Sequence, residues 1–154
     1  MTTTDQPYRR ILEDFPVGRE FEHWPGKTIT ESDNNLFCLL TMNHHPLHSD
    51  AEYAKIQQHG QIVVAGTYVI SLVVGMTVPD ISGSSIANLG YEKVIHHAPV
   101  FVGDTLRARS RVIAVKPSKT KRDRGVVIFE TEAFNQNCEK VLSLRRKVLI
   151  PKAS

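Results

Sequence analysis

The stretch 67–78 constrains this chain more than any other, because it is apolar on nearly every side. Tyr68, Val69, Ile70, Leu72, Val73, Val74, Met76 and Val78 leave no broad polar stripe for solvent. Periodicity alone does not separate a buried helix from a buried strand here, but a length of about twelve residues favours a helix. The β-branched content pulls mildly the other way. Pro79 and Gly83 end the segment. A helix predicted over 67–78 and buried all round needs a surface that curls about it, since flat packing would leave one side wet.

The second half supplies such a surface. Strands are predicted over 85–94, 105–115, 125–134 and 141–150. In the second of these Leu106, Ala108, Ser110, Val112 and Ala114 share one face, and Arg107, Arg109 and Arg111 take the other. Glu130 and Glu132 share a face of the next strand, and Arg145 and Lys147 a face of the last. Three consecutive antiparallel strands would then lay positive, negative and positive rows side by side, which is favourable cross-strand pairing. Segments 116–124 and 135–140 become the turns of this meander.

The first half is less regular. Residues 1–14 are expected to be a flexible N-terminal arm, ahead of a single domain at 15–154. Phe15-Pro16-Val17-Gly18 reads as a turn and 19–24 as a first strand. Thr30 is the expected N-cap of a helix over 31–40, with Asp33 three residues later as an approximate capping box. Ser49 or Asp50 would cap a second short helix ending at Ile56. The fold class is therefore α+β, a long antiparallel sheet wrapped around a central buried helix.

Composition narrows the function. At 154 residues, 41% hydrophobic and 23% charged, the chain suits one globular domain rather than a fibrous or disordered one. No apolar run approaches the roughly 20 residues that span a bilayer, and the N-terminus has no apolar core to act as a secretory signal. Cys38 and Cys138 do not make a disulfide framework, so a reducing cytoplasm is expected. Net charge is +3. Much of it sits in 116–124 (KPSKTKRDR), either a solvated hairpin tip or a landing site for an anionic ligand such as a phosphate-bearing cofactor. Nucleic acid is disfavoured, because no aromatic residue is interleaved with these charges.

Chemistry concentrates at 41–50, where three histidines, an amide and a carboxylate surround Pro46. Proline fixes its own φ and disfavours a helical His45, so a rigid loop is predicted. His44 and His48 are four apart, but Pro46 spoils a shared helical face and no glutamate follows the first histidine, so no metal is expected. His96 and His97 precede a Pro-Val break and read as structural or interfacial. Ser71, one turn beyond Thr67, reads as a hydroxyl bonding back to its helix.

Three segments carry a family resemblance. Asn43-His44-His45-Pro46-Leu47-His48 resembles the Asp-x-Asn-Pro-x-His active loop of the MaoC-like dehydratases, the (R)-specific enoyl-CoA hydratases of the hot-dog fold. Ile62-Val63-Val64-Ala65-Gly66 resembles the segment leading to that family's oxyanion glycine. Pro99-Val100-Phe101-Val102-Gly103-Asp104-Thr105-Leu106 is similar to its Pro-Val-x-x-Gly-Asp-Thr-Leu element. The resemblance covers roughly residues 15–150. Thr28–Asn34, Met42-Asn43 and Asp123-Arg124-Gly125 are similar to the subgroup associated with mesaconyl-CoA (β-methylmalyl-CoA) and other branched dicarboxylic thioesters.

The resemblance implies reversible addition of water across a 2-enoyl-CoA thioester. It makes His48 the acid/base, Gly66 the amide donor to the thioester oxygen, and Val64 and Ala65 substrate-binding. It implies no cofactor beyond the coenzyme A of the substrate, no membrane or nucleic-acid partner, and a homodimer or higher homo-oligomer. Asn43 stands where the family has aspartate, and a neutral amide orients water without accepting its proton. Three explanations remain open. His48 alone acts as base and then acid while Asn43 positions water; a displaced carboxylate, Asp33 or Asp50, does the work; or the chain binds acyl-CoA without turnover. We favour the first. A hot-dog acyl-CoA thioesterase is the alternative among enzymes.

Overall fold

The computed structural model describes residues 7–153. Its elements run β1 (Glu20–Thr28), α1 (Glu31–Thr41), α2 (Ala51–Lys55), α3 (Gly66–Met76), β2 (Ala87–His96), β3 (Thr105–Pro117), β4 (Arg124–Phe134) and β5 (Lys140–Pro151). The strands form one five-stranded sheet in the order β1-β3-β4-β5-β2, with every pair antiparallel. β3, β4 and β5 are the expected meander.

The charged rows lie in register. Arg109 faces Glu132 across β3 and β4, and Glu130 faces Arg145 across β4 and β5. Arg109 Nη2 is 2.8 Å from Glu132, Lys140 Nζ 2.7 Å from the same carboxylate, and Arg145 Nε 2.8 Å from Glu130. Lys147 turns instead to Glu92 on β2. On the opposite face Leu106, Ala108, Ser110 and Val112 are buried. Ala114 departs from the predicted alternation, because the register slips between Val112 and Ala114 and Val115 packs against the core instead. A bulge inserts one residue and reverses the faces beyond it, and nothing in the local composition announces it.

Two apolar clusters fill the inner face. Val69 and Val73 of α3 pack with Leu106, Ala133, Leu142 and Leu144 at one end of the sheet. Phe15, Phe21, Ile81, Phe129 and Ile150 fill the other, with Phe15 edge-on to Phe129 at 5.3 Å between centroids. Between them runs a polar seam. His23 Nδ1 lies 2.8 Å from Asp80 Oδ2 and its Nε2 2.8 Å from Ser110 Oγ, which is 2.7 Å from Thr131 Oγ1. Because a carboxylate accepts, Nδ1 carries the proton, Ser110 donates to Nε2 and Thr131 donates to Ser110. Arg146, also buried, reaches Thr77 Oγ1 at 3.0 Å.

Three expectations need correction. α3 is not buried all round: Thr67, Ser71 and Gly75 form an exposed stripe at i, i+4 and i+8, because one sheet covers only one side of it. Ser71 Oγ donates back to the Thr67 carbonyl at 2.9 Å, as read from the sequence. The expected flexible arm is packed over 10–14, where Arg10, Leu12 and Asp14 are buried; residues 1–6 lie outside the described residues. The first strand runs on to Thr28 through Pro25, with a register irregularity between His23 and Lys27. β1 is a sheet edge, where a missing N–H is tolerated.

Candidate active site

α1 forms where predicted. Thr30 Oγ1 accepts from the Asp33 amide at 3.1 Å, and Asp33 Oδ2 accepts from the Thr30 amide at 2.8 Å, a complete capping box. The helix stops at Met42, which takes the left-handed conformation (φ 58°), and the Asn43 amide closes onto the Cys38 carbonyl at 3.0 Å. His45 is extended before Pro46, as the proline requires. Pro46–His48 then makes a single 3-10 turn, so the loop is more regular than the sequence suggested. Asp50, not Ser49, caps α2 by accepting from the Tyr53 amide at 3.0 Å.

This turn is bolted to the segment before α3. His48 Nδ1 lies 2.6 Å from the Val63 carbonyl oxygen, and the Val63 amide donates to the Leu47 carbonyl at 3.2 Å. A carbonyl only accepts, so Nδ1 carries the proton and Nε2 is left with its lone pair. Asn34, buried within α1, completes the joint. Its Nδ2 donates to the His48 carbonyl at 2.9 Å, and its Oδ1 accepts from the Ala65 amide at 3.0 Å.

The Gly-Asp-Thr-Leu element is the other support. Gly103 adopts φ +95°, and Asp104 accepts from the Phe101 amide at 2.8 Å and from Gln136 at 2.8 Å. That turn holds Val100 and Phe101 against Val63 and Val64 through a Val64 amide bond to Val100 and a bridge between Val63 and Phe101. Its Pro99 and Val100 help to line the cleft that holds His48, so its role is positional.

The result is a cleft of about 310 Å³ that His48, His59, Val64, Gly66, His96 and His97 help to line. The Gly66 amide, at the N-terminus of α3, has no acceptor among the described residues. Helix geometry leaves such N–H groups unsatisfied, and the helix dipole favours negative charge there. The free amide of Gly66 and the lone pair of His48 Nε2 thus share one opening. No Asp or Glu lines it.

Other expected residues fall differently. Asn43 lines a neighbouring depression with Asn35, Cys38, Leu39, His44 and Ser49, rather than the cleft that holds His48. Ala65 is fully buried, with its amide committed to Asn34. Asp33 is committed to its cap and to Lys27 Nζ at 2.9 Å. The lysine ammonium first, then the bonds from Thr30, pull its carboxyl pKa down to about 2. A carboxylate that reluctant to take a proton is a poor base near neutral pH. Asp50 is held by its capping bond. Among the described residues no group of His, Cys, Asp and Glu converges as a metal site.

Asn34 and His96 were not recognised as site residues. Asn34 offered one signal, its position one turn before Cys38, the other buried residue of α1. His96 offered none, because its approach to Gly66 depends on the β2–β5 register, in which it faces Leu142. The basic turn stands apart. It closes the far end of β3, whose Leu106 packs with Val64, Val69 and Val100 of the cleft.

Comparison with known proteins gives the family and the fold. Residues 14–133 match the MaoC-like domain family. A mesaconyl-CoA hydratase of Cereibacter sphaeroides is 38% identical over 143 residues, which are 93% of this chain and 41% of that protein. An (R)-specific enoyl-CoA hydratase of Rhodospirillum rubrum is 32% identical over 120 residues, 70% of this chain and 78% of that one. RV0216 of Mycobacterium tuberculosis, described as a double hot-dog fold, superposes with a TM-score of 0.85 at 20% identity, covering 95% of this chain and 45% of that one, a likeness of fold alone. This chain spans about two fifths of the length of the mesaconyl-CoA hydratases it matches. With the matched residues spanning most of its length, this hot-dog chain belongs to the MaoC-like domain family.

Proposed function

We propose that this chain catalyses reversible hydration of a 2-enoyl-CoA thioester. His48 Nε2 takes the proton of water and returns it to the α-carbon, and the Gly66 amide donates to the thioester oxygen while it carries charge. The observation that carries this reading is the 2.6 Å contact between His48 Nδ1 and the Val63 carbonyl, which presents the basic nitrogen as the one without a protein partner. Asn43 is assigned to orienting water from the adjoining depression, and Val64 to lining the acyl site. The commitment of Asp33 to Lys27 and of Asp50 to its cap favours His48 over a displaced carboxylate.

A branched or dicarboxylic acyl chain such as mesaconyl-CoA is the proposed substrate class, supported by the name of the relative at 38% identity. A homodimer is proposed as the working form. β2 is a sheet edge with Leu89, Tyr91 and Ile95 exposed, and unpaired apolar edges invite a second strand. The two free cysteines accord with a reducing cytoplasm, and no described helix is long and apolar enough to cross a membrane.

The test is to supply crotonyl-CoA and mesaconyl-CoA and follow loss of enoyl-thioester absorbance. Binding without hydration of either sinks the hydratase reading. Release of free thiol would identify a thioesterase instead. A nearly inert wild type that gains strongly in the Asn43→Asp variant would identify a binding protein descended from a catalyst.

A further inference from the structure

We propose that His96 is the second hydrogen-bond donor to the thioester oxygen, beside the Gly66 amide. The inference rests on the acyl-CoA reading above and assigns a residue to that same site.

The first observation is contact. A β-carbon placed on Gly66 would meet His96 Cε1 and Nε2 at 3.1 Å each and Cδ2 at 3.7 Å. The Nε2 edge of the ring therefore lies over the first residue of α3, where the unsatisfied N–H groups are. Glycine here serves two purposes at once, admitting the imidazole as well as the substrate oxygen.

The second observation is availability. His97 is held by Ser143 at 2.8 Å, His48 Nδ1 by Val63, and His59 packs edge-on against Phe101 at 5.9 Å between centroids. Neither ring nitrogen of His96 has a hydrogen-bond partner among the described residues. Its backbone is fixed at the end of β2 by pairing with β5, so the ring is carried on a rigid element.

The third is chemistry. When water adds to the β-carbon, the C=C electrons shift toward the carbonyl and its oxygen becomes an enolate oxyanion. His48 Nε2 holds the proton from water and returns it to the α-carbon as the carbonyl re-forms. Through that sequence the oxygen needs preorganised donors, and one amide is a sparse set. No Lys, Arg, Asn, Gln, Ser, Thr or Tyr lines the cleft. The remaining side-chain donors are imidazoles, and His96 is the one that adjoins Gly66. A neutral ring with the proton on Nε2 suffices, and no proton leaves it during the reaction.

The experiment compares His96→Leu with His96→Gln, whose side-chain amide keeps a donor at similar reach. His96→Leu should lower kcat by about 10²–10³-fold with KM little changed, the loss typical of removing one oxyanion donor. His96→Gln should recover to within about tenfold of the wild type, and both should keep the wild-type pH profile of kcat/KM. Bound [1-13C]butyryl-CoA supplies a readout without turnover: its carbonyl resonance should move downfield in the wild type and in His96→Gln, and revert in His96→Leu. A His96→Gln variant as inert as His96→Leu and missing one limb of the pH profile would overturn the donor role in favour of proton transfer. Wild-type rates and an unchanged carbonyl resonance in both variants would also overturn it. A His96-dependent carbonyl resonance without hydration of any enoyl-CoA supports the donor and sinks the hydratase reading alone. Failure of both butyryl-CoA and mesaconyl-CoA to bind sinks both.

Discussion

Asn34 donates to the carbonyl of His48 at 2.9 Å while its other amide atom accepts from Ala65, so one buried side chain couples the turn bearing His48 to the start of the helix led by Gly66. Replacing it by alanine leaves a carbonyl and an N–H without partners. At roughly 1–3 kcal/mol for each orphaned group, Asn34→Ala should lose on the order of 2–6 kcal/mol. Urea midpoints give the stability loss. Turnover measured well below the midpoint should fall as well, because the two halves of the site are no longer held in register. Full turnover in the folded variant would refute the coupling.

His48→Ala should lower turnover by at least about 10²-fold, the usual scale for a general base. His48 is only half-buried and sits outside both apolar clusters, so the melting temperature should stay close to the wild type. A melting temperature that falls in step with activity would make His48 structural.

The buried His23 predicts an acid-side loss of stability. Burial is the largest influence and lowers its pKa below 6.5, with Asp80 opposing. The unfolded chain therefore takes up a proton at a higher pH than the folded one. Stability from this group is fully present above pH 6.5 and declines as pH falls below that value. Chemical denaturation at a series of pH values should show the decline in the wild type and a flatter profile in His23→Gln. Parallel profiles would assign the acid sensitivity to other groups.

Met42 holds a left-handed conformation at the end of α1 with its side chain 80% exposed. That conformation costs a non-glycine residue about 1–2 kcal/mol, and glycine returns roughly 0.5–1 kcal/mol of that as unfolded-state entropy. Met42→Gly should thus stabilise by about 0.5–1 kcal/mol, read as a higher denaturant midpoint. A lower midpoint would mean that the exposed thioether is covered by something in solution.

If β2 pairs with a second copy, Leu89→Lys combined with Ile95→Lys should give a folded monomer by light scattering, since edge lysines block strand addition. A wild type that is already monomeric, or a double variant that remains a dimer, removes β2 as the interface.

The sheet was legible because its strands alternate with period two and carry complementary charges, as the contacts of Arg109 with Glu132 and of Glu130 with Arg145 bear out. The bulge beyond Val112 was not, since no residue marks it. α1 misleads outright. Its apolar Leu36, Leu39 and Leu40 are exposed and its polar Asn34 is buried, so hydrophobic patterning points to the wrong face. Asn34 is inside because its two bonds satisfy it there, a tertiary fact that spacing does not encode. The loop was legible down to the extended His45 and the Asp50 cap. The cleft that His48 shares with Gly66 and His96 depends on strand register and emerged only in three dimensions.

The direction of β3 gives the molecule two poles. Its Leu106 packs with Val64, Val69 and Val100 of the cleft, and it delivers Lys116, Lys119, Lys121 and Arg122 to its far end, about 35–40 Å along the strand at roughly 3.3 Å per residue. Anything seated at His48 is out of range of the cationic turn of its own chain. Within one subunit the cleft of His48 and this cationic turn lie toward opposite ends of β3, so neutralising the turn leaves the local field at His48 untouched, and the two can be engineered independently.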